Sequence, residues 1–268
     1  MRAPPSRPLA AALLGTLLPL AAAAAIKDSA HDLSAGSAAV VRSTDSEICK
    51  FCHAPHRAQS TQLLWSHTQT SQAAFNWGGQ TTTLAGTNLP TSLRAASKAC
   101  LGCHDGSIAL GDVRNAGGGV AGVLNVPDVA VANHTVLGGR MVSGNVNLVG
   151  AGGNLSGSHP VGVPYAGQSG YNGINSAVPA AKVNDQTGSY WTVKTAGCSN
   201  NTGVCTSAIA AGTNGAVIQL YDNVPGTKVN VGLECPSCHE PHNAFGFAWL
   251  MRVDAQTTDG LCRSCHNN

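Results

Sequence analysis

The sequence predicts a mostly irregular chain with short α-helices and a few short β-strands. Three observations predict it. The 268 residues include 32 glycines and only 4% aromatic side chains, so the chain is poorly equipped to build a large core of its own. The long stretch from about 111 to 232 is rich in Gly, Ala, Val and Asn, which keeps any strand short and leaves most of it to turns. The unit Cys-x-x-Cys-His occurs four times. The first is Cys49, Cys52 and His53, and the second Cys100, Cys103 and His104. The third is Cys235, Cys238 and His239, and the fourth Cys262, Cys265 and His266. The fold is therefore expected to gather around whatever these units hold.

Their spacing says what that is. On a short helical turn, positions i, i+3 and i+4 share a face. Two thiols so placed can form thioethers to the two vinyl groups of one haem, and the following imidazole falls beneath the iron as its proximal ligand. Paired Cys-x-x-Cys is also a zinc pattern, but zinc ribbons do not require a histidine directly after every pair. The expected cofactors are four covalent c-type haems. Folding should then be coupled to their attachment.

The N-terminal residues 1–25 read as a secretory signal peptide. Arg2 and Arg7 are followed by a short apolar run from Leu9 to Leu20 and an Ala-x-Ala stretch at 21–25. The run is short for a bilayer span, and no later segment looks transmembrane. Cleavage would leave residues 26–268 as one tetrahaem domain, exported to the periplasm or the outer surface of a bacterium. There Cys198 and Cys205, the two cysteines outside the haem units, are expected to form a small disulfide. The net charge of +2 gives no reason to expect a nucleic-acid partner.

The chain reads in order as follows. Residues 26–47 are polar and loop-like and contain His31. Cys49–His56 carries the first unit, followed by Leu63-Leu64-Trp65-Ser66-His67. Ser92 to Cys100 suggests a helix leading into the second unit. Val142–Leu148 and Ala216–Tyr221 suggest strands within 111–232, a region whose plainest reading is a solvated insertion, although its length argues for some function or a small folded unit. The eight-residue pattern Cys-x-x-Cys-His-x-Pro-His recurs at Cys49–His56 and Cys235–His242, and each copy precedes a plain unit. This gives two haem pairs in sequence, His53 with His104 and His239 with His266.

Six histidines outside the units remain to close the irons: His31, His56, His67, His134, His159 and His242. Bis-histidine ligation is the expectation, with low potentials. His56 and His242 hold matching places in the repeat, and Pro160 biases His159 toward an extended backbone. His31, His67 and His134 compete for the fourth place.

Six segments in this order carry a resemblance: Ala-His-Asp-Leu-Ser, Cys-Lys-Phe-Cys-His-Ala-Pro-His, Leu-Leu-Trp-Ser-His, Cys-Leu-Gly-Cys-His-Asp-Gly-Ser-Ile-Ala, Ser-His-Pro-Val-Gly-Val and Cys-Pro-Ser-Cys-His-Glu-Pro-His. The chain resembles the doubled Cys-x-x-Cys-His family of exported multihaem cytochromes, and in particular tetrahaem extracellular cytochrome filament (nanowire) subunits of the OmcE type. The resemblance implies a continuous bis-histidine haem stack, with His31, His56, His242 and His159 as distal ligands and His67 as the rival of His31. It implies extracellular electron transfer without catalysis, redox proteins or extracellular acceptors as partners, and self-association in which one ligand comes from a neighbouring subunit. A soluble periplasmic carrier is the alternative, and a multihaem reductase of nitrite or hydroxylamine a further one. With His31 near one end and His266 near the other, head-to-tail ligation by His31 on a free arm would give an open filament.

Overall fold

The computed structural model describes residues 26–56, 58, 64–83, 88–163, 180–185, 188–193, 219–221, 233–244 and 246–252. Three expectations lie outside the described residues: the leader at 1–25, the disulfide of Cys198 with Cys205, and the fourth haem unit. In that unit Cys262 and Cys265 were expected to hold the haem and His266 to ligate its iron.

The fold is largely coil, with small local elements. A 3-10 turn, Cys49–Phe51, opens the first haem unit. Helix α1, Ala95–His104, carries the second. Paired alanines start it with good helix formers. It stops where Asp105 caps and Gly106 turns left-handed at φ 70°, the conformation glycine tolerates best at a helix end. The expected helix over Ser92–Cys100 is thus present, displaced to include the unit itself.

Two tight hairpins follow. Strands β1 (Asp112–Gly117) and β2 (Val120–Val123) pair antiparallel, and β3 (Val136–Leu137) pairs with β4 (Arg140–Met141) across Gly138-Gly139. A three-stranded sheet is ordered β5 (Ala180–Asp185), β6 (Gly188–Val193), β7 (Gln219–Leu220). Helix α2, Cys235–Cys238, is one turn carrying the third unit. The strand expected at Val142–Leu148 does not form. The chain leaves β4 at Met141 and turns through Gly144 at φ 92°, which breaks the extended run.

Two small clusters do the packing. One joins Phe75, Trp77, Leu89, Leu93, Leu101, Leu155 and Val163 beside α1. The other joins Phe51 to Leu110, Val113, Leu124, Val126 and Val136, with Cys52 and Cys103 against it. Most of the second cluster comes from residues read above as a solvated insertion. Between the two readings, solvated insertion and folded unit, the buried side chains from Val113 to Val163 support the folded one for that stretch. The hairpins bury the apolar side chains that the first two haem units lack, at roughly 1.5–3 kcal/mol for each large one.

The N-terminal segment is also tied down. Asp32 is buried and accepts from Ser34 Oγ at 2.6 Å and from the Asp28 amide at 2.8 Å. The Thr44 amide donates to the Asn125 carbonyl, across to the hairpin region, at 3.1 Å. The polar residues of 26–47 serve one another, and the arm packs instead of hanging free.

Candidate haem-ligation site

The residues of the first and third units are held by the same backbone device. After each Cys-x-x-Cys-His the chain loops out and returns as a strap. The Ala54 amide donates to the Leu64 carbonyl at 2.8 Å, and the Ser66 amide to the Cys52 carbonyl at 2.8 Å. In the other copy the Glu240 amide donates to the Leu250 carbonyl at 2.6 Å, and the Arg252 amide to that of Cys238 at 2.8 Å. His53 pairs with Trp65 as His239 pairs with Met251. Leu64 and Leu250 both take positive φ, 50° and 55°. The two loops have equal length, so the repeat seen at Cys49–His56 and Cys235–His242 extends to Ser66 and Arg252. The matched leucine spacing could have disclosed this; the side chains differ at most other strap positions and hide it.

The straps and loops orient the imidazoles. His239 Nδ1 donates to the Trp249 carbonyl at 2.9 Å, and His104 Nδ1 to the Asn147 carbonyl at 2.8 Å. His31 Nδ1 donates to the Pro241 carbonyl at 3.1 Å. His242 Nδ1 sits 3.0 Å from Glu240 Oε1. Each bond fixes a tautomer and leaves Nε2 as the ligating atom, the usual arrangement around a metal-bound histidine. These carbonyl partners carried no sequence signal, because any residue type can supply one.

Two pairs of rings result. His31 and His104 have centroids 6.0 Å apart with planes at 58°, and His53 and His242 are 6.0 Å apart at 13°. An iron between two imidazole Nε2 atoms, each about 2 Å away, sets the centroids about 6 Å apart. Burial, then the neighbouring His104, pushes His31 down to about 4, which keeps it neutral and able to ligate. Burial likewise lowers His104.

The remaining candidates fall elsewhere. His67, the rival of His31, is fully buried, with Nδ1 2.6 Å from the Thr68 carbonyl and Nε2 3.0 Å from the Ala109 carbonyl. Burial favours the neutral imidazole, which has one N–H, so Nδ1 donates to the Thr68 carbonyl while Nε2 also lies 3.4 Å from Cys103 Sγ of the second unit; the ring joins neither imidazole pair. Gly102 lets α1 approach it: a Cβ there would stand 2.5 Å from the Thr68 carbonyl. His56 is exposed and belongs to neither pair. His159 is exposed with Nδ1 3.0 Å from the Pro160 carbonyl, and His134 is partly buried.

Cys49 is exposed, and the other five described cysteines are partly buried. The six described cysteines are Cys49, Cys52, Cys100, Cys103, Cys235 and Cys238, and all are free of disulfides. Cys262 and Cys265 fall outside the described residues, so the fourth attachment site rests on the sequence pattern alone. Burial pushes the Cys52 and Cys103 thiols up to about 12, as expected of sulfurs facing apolar surroundings. The Cys100 thiol hydrogen-bonds Cys235, bringing the second and third units together. Beside His53, the buried Trp65 Nε1 has no hydrogen-bond partner among the described residues, and Trp65 meets the His53 ring edge-on at 6.1 Å. Among the described residues no three His, Cys, Asp or Glu side chains converge as a bare metal ion would need. The donor set suits a haem iron, which asks for only two imidazoles.

Residues 227–268 match the family model of the doubled CXXCH motif. The match supports a multihaem c-type cytochrome and covalently bound haem at these units. No curated protein matches the chain.

Proposed function

We propose that this chain is an exported tetrahaem c-type cytochrome that carries electrons along bis-histidine haems, as a subunit of an extracellular filament. The observation that carries the electron-carrier reading is the pairing of His31 with His104 and of His53 with His242 at 6.0 Å. An iron closed on both sides has no position for substrate, which favours a carrier over a reductase. The haem supplies one-electron exchange when bound. The chain's own residues anchor it by thioethers at Cys49 and Cys52, Cys100 and Cys103, Cys235 and Cys238, and Cys262 and Cys265. They also orient the imidazoles through carbonyls and hold water away with Phe51, Leu101 and Val136.

Distal assignments follow the geometry: His31 toward the iron of His104, and His242 toward that of His53. His159 and His56 are left for the irons of His239 and His266. The link between subunits is reassigned accordingly. His31 is packed inside its own chain, whereas exposed His56 is placed to reach a neighbouring copy. Trp249, 69% exposed, offers apolar surface for the same contact.

Intact mass of the purified protein should exceed the polypeptide by four haem masses, with low-spin spectra throughout, and negative-stain images should show filaments. Fewer haems would overturn the tetrahaem reading. A monomer at high concentration would remove the filament and leave a soluble carrier. Carbon monoxide or nitrite binding to the reduced protein would favour a reductase.

A further inference from the structure

We propose that Arg94, Ser97 and Glu234 form a positioning lock that fixes the second haem against the third and so sets the electronic coupling between them; this rests on the haem reading above. Ser97 and Cys100 are three residues apart and share one face of α1, and Arg94 is the N-cap residue just before it. That face meets the start of α2. Glu234, at 1% exposure, is the N-cap of α2, and its side chain takes part in a reciprocal cap with Ser237. Its carboxylate accepts from Ser97 Oγ and lies 3.4 Å from Arg94 Nε. Ser97 Oγ in turn accepts from the Cys235 amide at 3.0 Å, so one hydroxyl joins the carboxylate to the backbone of the third unit.

The other side of α2 is clamped as well. The Pro236 carbonyl accepts from Arg252 Nε at 2.7 Å and from the Tyr221 hydroxyl at 3.4 Å. Burying a carboxylate in this way is costly unless its partners are kept in place. A one-turn helix needs no charged lock to survive at a surface. It needs one if its first residue must hold a set distance from a second element. The second element is α1, whose Ser97 hydroxyl takes the Cys235 amide at 3.0 Å one helical turn before Cys100. Haems attached at Cys100 and Cys235 would hang from these two elements, so the seating of α2 on α1 would set how near they come.

The lock is tested on holoprotein by the bisignate Soret circular dichroism of coupled haems and by the separation of haem reduction potentials at fixed pH. Ser97→Ala and Glu234→Ala should each reduce the couplet at least twofold and narrow the separation, while Ser97→Thr, which restores the hydroxyl, should recover the wild-type signal. If Glu234→Ala fails to load haem, Ser97→Ala alone decides, since it retains the carboxylate and Arg94. An unchanged couplet and unchanged potentials in a variant that carries the wild-type haem complement overturn the lock and leave the cytochrome reading intact. A wild-type protein without attached haem would overturn that reading instead.

Discussion

The two strapped units share a backbone and bury the same positions with different side chains: Phe51, Ala54 and Ser66 of the first are matched by Ser237, Glu240 and Arg252 of the second, all buried. In the first, Trp65 lies against its own histidine. The strap then runs directly into buried His67. In the second, Met251 takes the place of Trp65, Arg252 that of Ser66, and the neighbouring Trp249 is turned outward on a left-handed backbone at φ 54°. A duplicated frame fixes where the proximal imidazole stands. The side chains hung on it decide what packs against it.

The largest effect expected from breaking this comparison is at the distal histidines. His242→Ala should open the iron of the first unit, giving a high-spin signal and carbon monoxide binding in the reduced protein. His56→Ala, its counterpart in the first copy, should leave that iron closed. Equal carbon monoxide binding by both variants would end the assignment.

Next in size is His67→Ala. Removing a buried imidazole whose Nδ1 donates to the Thr68 carbonyl should cost about 2–4 kcal/mol in thermal or denaturant unfolding. The haem spectrum should stay low-spin. A new high-spin component would restore His67 as a ligand.

The two tryptophans sharpen the contrast. Trp65→Ala should cost about 3 kcal/mol. Trp249→Ala should change the stability of the separate subunit by under about 0.5 kcal/mol, and weaken only self-association. Similar unfolding midpoints for the two would show that Trp249 is packed as closely as Trp65.

The smallest effect is at Lys50, which pairs with Asp45 at 2.8 Å beside the first unit. Both are partly exposed, so Lys50→Ala should cost under about 1 kcal/mol. The bond from Lys50 holds the Asp45 carboxyl below its ordinary value. The contribution is therefore present above the unfolded carboxyl's pKa and is lost as pH falls through the lowered one. Wild type and Lys50→Ala should converge in acid; a gap that persists there would contradict this.

Attachment chemistry was legible in the sequence because it is written in local spacing: the helical Cys-x-x-Cys-His unit and the repeat that matches His56 with His242 need no knowledge of the fold. The imidazole pairs were not legible. His53 meets His242, and His31 meets His104, across long separations that no local pattern encodes. Nor did any local pattern tell His31, which joins a pair, from His67, which lies buried beside Cys103. The hairpins at 112–141 were only half legible: the glycines suggested solvent and the length a folded unit, and Val113, Leu124 and Val136 join a core shared with Phe51.

The pairing of His53 with His242 has a consequence for assembly in time. The Cys49–Phe51 turn and the strap that returns to it at Ser66 close over short sequence separations, so the first frame can form early. The partner ring, His242, belongs to the other copy, so that pair closes only once the intervening chain is in place. Closing so long a loop is entropically costly and comes late. A haem held between the two rings would therefore gain its second imidazole last.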